Sequence, residues 1–392
     1  MDTKNISSSA SNKKTIVALV LIAAIAPALL MMAPVVAKQL AIELQMSASA
    51  IGTLFTSELG AMSLASIPAC YWLSRINWRL AGTLAALIFI LANLGSVFVE
   101  SATGLIAFRI LSGFGGGSLM VLCMATASTL PKPDRIYGLW VMGQLVLGAV
   151  GLAILPSLFA HFGLSAFFTL LSVLMLICLP LVRYFPERKQ PLAPSTASST
   201  PTRLALPALI GLTAVLLFYV SLNGVWTFMG ALADSINIDA QVSGNILAMA
   251  SLLGIAGAFC ATLMGGRSNF RPPMLAGYVI MIGGILLLTG VPDTARFIIA
   301  VLSFKFAWTF ALPFILASLA RIDNNGQLMG LVNLVIGGGL ALGPLIAGQM
   351  IEHSNGFQNV LIGSALLAFL SLILTLLIPE NRFQYNGEPK HV

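Results

Sequence analysis

A chain of 392 residues that is 58% hydrophobic and only 8% charged, with a mean hydropathy of +0.96, has too little charge to cover a water-facing surface. It is expected to be an integral membrane protein, and its net charge of +7 is a topology signal with no nucleic-acid role attached. Cys70, Cys123, Cys178 and Cys260 stand apart in apolar runs, the three histidines form no cluster, and no phosphate loop ends in Lys-Ser/Thr. Disulfides, metal sites, cofactors and ATP-driven pumping are therefore not expected.

In chain order, residues 1–14 are polar and read as a cytoplasmic tail. The apolar run after Lys13 and Lys14 exceeds the roughly 7–15 residues of a signal-peptide core, so it reads as a first span. At about 20 residues per crossing, the chain divides into twelve spans. They lie at 15–38, 48–73, 80–99, 105–130, 136–160, 166–183, 206–232, 242–264, 273–291, 295–319, 327–351 and 357–378. The segment 184–205, rich in Pro, Ser and Thr, reads as a flexible cytoplasmic linker between a six-helix bundle at 15–183 and another at 206–378. Residues 379–392 form a C-terminal tail.

Positive charge orients this arrangement. With the N-terminus in the cytoplasm, sixteen of the twenty Lys and Arg residues fall on the inner side, from Lys4 and Lys13 through Arg75, Arg79 and Arg135 to Arg382 and Lys390. The outer loops hold Glu43, Glu100, Asp234, Asp239, Asp293 and Glu352. Both termini are expected to be cytoplasmic, and the membrane to be the inner one. The halves also echo each other: "PDRIYGLWVMGQLVLGAVG" at 133–151 parallels "NNGQLMGLVNLVIGGGLALG" at 324–343 in its glycine intervals.

Two motifs carry a family resemblance. The loop "CYWLSRINWR" keeps Arg75 and Arg79 of Gly-x-x-x-Asp-Arg-x-Gly-Arg-Arg, with Ser74 in place of the acid; span 4 meets Leu-x-x-x-Arg-x-x-Gln-Gly-x-Gly with Leu105, Arg109, Gly113 and Gly115, and Ser112 for Gln. The chain thus resembles the major facilitator superfamily from about residue 15 to 380. The glycine- and proline-rich fifth-span signature of its drug–proton antiporters is met only by Gly143, Gly148 and Gly151, whereas span 11 carries a Gly343-Pro344 step. The resemblance implies an all-α fold of twelve transmembrane helices in two pseudo-symmetric six-helix bundles. It also implies that spans 1, 4, 7 and 10 line a central cavity, with Arg109 and Lys305 facing it from opposite halves.

Charges deep inside spans are costly, about 2.5–3.5 kcal/mol each even on the lowest scales, and so are informative. Glu58 lies about ten residues, or roughly 15 Å, into span 2. It reads either as a proton carrier or as a structural acid paired with Arg109. Arg109 suits an anionic substrate, a partner exchange with Glu58, or a fixed ion pair. Lys305 lies at similar depth in span 10, beyond easy snorkelling, and two cations facing one cavity favour an anionic substrate. Tyr219, Asn223 and Trp226 share a face of span 7. With Phe304 and Trp308 of span 10 and Asn333 of span 11 they make a pocket, or else ordinary packing and interfacial anchors. Asn93 and Gln144 are expected to hydrogen-bond between helices. Gly113, Gly115, Gly116 and Gly117 admit a close neighbour, and Pro313 and Pro344 are expected to kink their helices.

Together these features point to a secondary active transporter. It would move a small organic solute, anionic or amphipathic, across the inner membrane by alternating access with proton coupling, as a monomer in lipid. Proton-driven drug or metabolite efflux is the alternative within that class. A non-transporting sensor or scaffold is favoured by the missing loop acid and opposed by the lack of a soluble signalling domain. No paired acids, His–acid set or nucleophile–base pair suggests an enzyme.

Overall fold

The computed structural model describes residues 3–99, 101–131, 133–187, 206–264, 270–323, 327–354 and 356–378, all helical or in short connections, with no strand among them. Glu100, Lys132, Arg188, Lys189, Arg203, Arg267, Arg382, Lys390 and most of the expected linker and C-terminal tail lie outside the described residues.

Among the described residues, twelve spans are present in the expected order. Span 1 is in three pieces, Thr3–Ile25, Ala28–Met31 and Ala33–Glu43, and span 2 in two, Ala48–Leu64 and Ser66–Trp72. Spans 3 to 5 are Trp78–Val97, Ala102–Ser128 and Pro133–Phe162. Span 6 is Ser165–Cys178, tightened into a 3-10 turn over Leu179–Tyr184. Spans 7 to 12 are Leu206–Ser235, Ala240–Leu263, Arg271–Leu287, Thr294–Ala320, Gln327–Ser354 and Gln358–Leu376. Ten of these are long and apolar enough to cross a membrane; the others are the broken span 1 and span 9, which has 17 residues. Helix starts obey capping chemistry: Ser47, Asn77, Ser101, Asp239 and Asp293 each accept a bond from a first-turn amide. The expected polar tail is helical from Thr3, so span 1 extends beyond the apolar run.

Span 1 breaks because proline lacks an amide proton and its ring collides with the preceding turn. Pro27 leaves the carbonyl of Ala23 without its helical donor, and Gln144 Nε2 of span 5 donates to it at 3.0 Å. Pro34 does the same to Leu30, whose carbonyl accepts from Trp226 Nε1 of span 7 at 3.1 Å. At Pro344 the freed carbonyl is that of Leu340, and Asn223 Nδ2 of span 7 donates to it. Pro313 and Pro344 each sit inside a helix that runs without interruption, whereas Pro27 and Pro34 mark the breaks.

Spans 2 and 11, 5 and 8, and 1 and 7 pack across the two halves. Among the described residues, every hydrogen bond or ion pair joining the halves lies between mid-span and the face opposite the termini. Lys38 bridges Asp234 at 2.6 Å. Glu352 accepts from the Ser47 hydroxyl at 2.8 Å and the Ser49 amide at 3.0 Å. Gln241 donates to the Ala153 carbonyl at 2.7 Å and accepts from Ser157. Thr56 donates to the Ala341 carbonyl at 2.6 Å.

The span 4 glycines serve three neighbours. A side chain at Gly113 or Gly117 would strike the span 2 carbonyls of Glu58 and Met62, one at Gly115 the span 3 backbone at Ala85 and Phe89, and one at Gly116 the carbonyl of Ala26 in span 1. Gly113→Ala places a methyl 2.2 Å from the Glu58 carbonyl. It is expected to destabilise the fold by about 1–3 kcal/mol, seen as a lower thermal midpoint in detergent. Gly138→Ala, which meets open space on an exposed helix face, should leave the midpoint unchanged or raise it slightly.

Candidate functional site

Arg109 is completely buried and Glu58 is 1% exposed. Gly113 and Gly117 bring span 2 against span 4, and this contact sets the carboxylate beside the guanidinium. Arg109 Nη1 stands 3.5 Å from Glu58 Oε2 and donates to Asn93 Oδ1 at 3.0 Å. Its Nη2 donates to the Ser96 hydroxyl at 2.6 Å and to the Ala92 carbonyl at 3.3 Å. The Phe168 ring of span 6 lies 4.5 Å from the guanidinium carbon. Arg109 therefore points into the N-terminal bundle, toward spans 3 and 6. The reason is local: Asn93 and Ser96, three apart on span 3, present two acceptors on one face.

Glu58 is held more loosely. Ser112 donates to its Oε1 at 3.2 Å, while Oε2 has no hydrogen bond and faces Arg109 only at ion-pair distance. Asn93 Nδ2 links the cluster by donating to Ser112 at 3.1 Å and to the Phe89 carbonyl at 2.8 Å. Three of the guanidinium's four polar contacts are thus to neutral groups and do not depend on the charge of Glu58, while its Nε has no partner. Neither Ser96 nor Phe168 stands out in the sequence; the spacing of Ser96 from Asn93 is the available signal.

Lys305 is 2% exposed and sits in the other half. Its ammonium lies 3.9 Å from the ring centre of Trp226 and 3.8 Å from that of Trp308, two indoles 6.2 Å apart and nearly perpendicular at 79°. Phe304 meets Trp308 edge-on. Gly254 of span 8 lies against the lysine stem. Among the described residues no carboxylate bridges Lys305, the ion pairs being Lys38–Asp234, Arg79–Glu187 and Arg109–Glu58.

The remaining expected site residues separate. Tyr219 and Asn223 are buried on span 7, and the Oδ1 of Asn223 and the hydroxyl of Thr227, one turn on, lack partners. Asn333 is exposed on span 11. Gly343 packs on the backbone of Gly224, joining spans 7 and 11. Arg75 stacks on Tyr71, and Arg79 donates to the Phe185 carbonyl at 2.8 Å and pairs with Glu187, so both arginines act within the N-terminal half. Gln144 caps span 1, and Pro313 and Pro344 take no part in the charged clusters. A mostly apolar crevice of about 260 Å³ lies apart from them, between spans 1, 5, 7 and 8, with Lys38 and the unpartnered Ser243 hydroxyl on its wall.

Removing one member of a buried ion pair strands the other. Arg109→Met is expected to cost about 3–5 kcal/mol and Glu58→Gln less, because Arg109 keeps its span 3 partners. The double variant should unfold at a higher temperature than additivity predicts, which a thermal double-mutant cycle in detergent measures.

Known proteins share both the sequence pattern and the fold. A relative described as a chloramphenicol resistance protein, from Streptomyces lividans, is 25% identical over 355 residues, covering 86% of this chain and 88% of its own. Among solved structures, the nucleoside transporter NupG superposes with a TM-score of 0.72 at 14% identity, covering 92% of this chain and 98% of NupG. The human organic anion transporter MFSD10 gives 0.68 at 15% identity, covering 93% and 99%. The sequence profile of the Major Facilitator Superfamily matches residues 15–322, with a second match over 211–391. With the profile spanning most of the chain and the same fold in its structural neighbours, the protein belongs to the Major Facilitator Superfamily of transporters.

Proposed function

We propose that the protein is a proton-coupled exporter of small amphipathic organic compounds, working as a monomer in the cytoplasmic membrane with both termini in the cytoplasm. One observation carries the coupling: Glu58 Oε2 is buried without a hydrogen bond, while Arg109 is oriented by Asn93, Ser96 and the Ala92 carbonyl independently of it. Protonation of Glu58 removes a charge without freeing the guanidinium, so the proton can come and go while the bundle stays intact. The pair's attraction changes with that proton, and the change biases how span 2 lies against span 4 and span 11.

One observation supports the outward direction. The relative from Streptomyces lividans bears a resistance name. The bonds joining the halves cluster away from the termini, an arrangement that importers and exporters share at one point of the cycle. Proton-linked uptake of an organic anion is the second reading, favoured by the absence of an acid beside Lys305 among the described residues.

Proteoliposomes containing a pH dye separate these readings. Chloramphenicol added outside should make the lumen more alkaline if protons leave as the compound enters; acidification would mark symport. Glu58→Gln should abolish the proton signal while labelled chloramphenicol still exchanges down its gradient. An undiminished proton signal in that variant would remove Glu58 from the coupling.

A further inference from the structure

The buried charges are compensated unequally. Arg109 has an acid, two side-chain acceptors, a carbonyl and a ring face. Lys305 has the faces of Trp226 and Trp308, and no acid among the described residues. An indole face attracts a cation through its quadrupole, but it adds no negative charge. The ammonium therefore keeps unspent attraction for an anion in a region where water does not screen it. A cationic ligand is disfavoured, because the ring faces that would receive it already hold Lys305.

We propose that Lys305, flanked by Trp226 and Trp308, is the subsite that receives the anionic group of an aromatic or amphipathic substrate, the carboxylate on the ammonium and the apolar body along the indoles. This rests on the reading of the chain as a transporter of organic solutes, and it applies to export or uptake alike. Lys305 and both indoles are buried, so a ligand reaches them when the surrounding helices part. Gly254 keeps span 8 free of a side chain beside the lysine stem, and Phe304 extends the aromatic wall. The indole N–H of Trp226 is committed to the Leu30 carbonyl, so Trp226 offers its ring and not its donor.

Binding is tested on purified full-length protein in detergent, by intrinsic tryptophan fluorescence with benzoate, its neutral analogue benzamide and benzyltrimethylammonium. Wild type is expected to bind benzoate saturably and at least roughly tenfold more tightly than benzamide. Lys305→Met should erase that preference, and Lys305→Arg should retain part of it, with thermal melts confirming that each variant is folded. Equal binding of benzoate and benzamide by wild type would overturn the proposal, as would no saturation by about 10 mM benzoate. A preference for the quaternary cation, or a benzoate preference surviving in folded Lys305→Met, would do the same. No gradient is present in detergent, so failure here is distinct from failure of proton coupling through Glu58.

Discussion

A membrane leaves no water to satisfy a backbone group, and the proline-freed carbonyls of this protein are bound by that constraint. Pro27, Pro34 and Pro344 each deprive a carbonyl of its helical donor, and each deficit is met by a side chain from another span: Gln144, Trp226 and Asn223. An unpaired polar group in hydrocarbon costs several kcal/mol, so each of these three bonds is a strong tie between its helices. One joins spans 1 and 5 inside the N-terminal half, one joins spans 7 and 11 inside the C-terminal half, and one, from Trp226 to Leu30, crosses between the halves.

Glycine does complementary work by letting backbones touch. In the N-terminal half Gly113 and Gly117 on span 4 receive the backbone around Glu58 on span 2. In the C-terminal half the roles of the helices reverse: Gly254 and Gly257 on span 8 receive span 10 at Lys305, Phe306 and Thr309. Glu58 and Lys305 are thus each carried by a helix pressed against a glycine face, which fixes their positions without spending a side chain. The compensation differs sharply. Arg109 is oriented by three neutral acceptors although its Nε has no partner, Glu58 depends on Ser112 and the adjacent guanidinium, and Lys305 relies on two indoles.

The twelve spans are legible in the sequence because each needs a run of about 20 apolar residues, a signal that survives errors at the ends. The pairing of Glu58 with Arg109 is also legible, since a buried acid and base at matching depth on neighbouring spans have few other ways to be neutralised. The direction of Arg109 is not, because depth says nothing about azimuth; Asn93 and Ser96 on span 3 decide it. Hydropathy is likewise blind to the breaks in span 1, where Pro27 and Pro34 sit inside a long apolar run. The four span 4 glycines look like one strip, yet at about 100° per residue positions 113, 115, 116 and 117 must face several helices. Trp226 and Asn223 look like ligand residues, and their donors are in fact engaged by proline-freed carbonyls.

Trp226 ties the backbone constraint to the buried charge. Its N–H holds the Leu30 carbonyl across the two halves, and its ring face holds the Lys305 ammonium. Any motion that separates span 1 from span 7 must either break that bond or carry the indole with span 1, and in the second case the ring leaves Lys305. The carbonyl cannot stay unpaired at mid-membrane depth without cost, and neither can the ammonium lose a ring face without a substitute. The proposed substrate anion on Lys305 would supply such a substitute, so occupancy of that site would lower the cost of moving Trp226. The link between a bound solute and movement of the halves can therefore run through one side chain, with no chain of intermediaries between them.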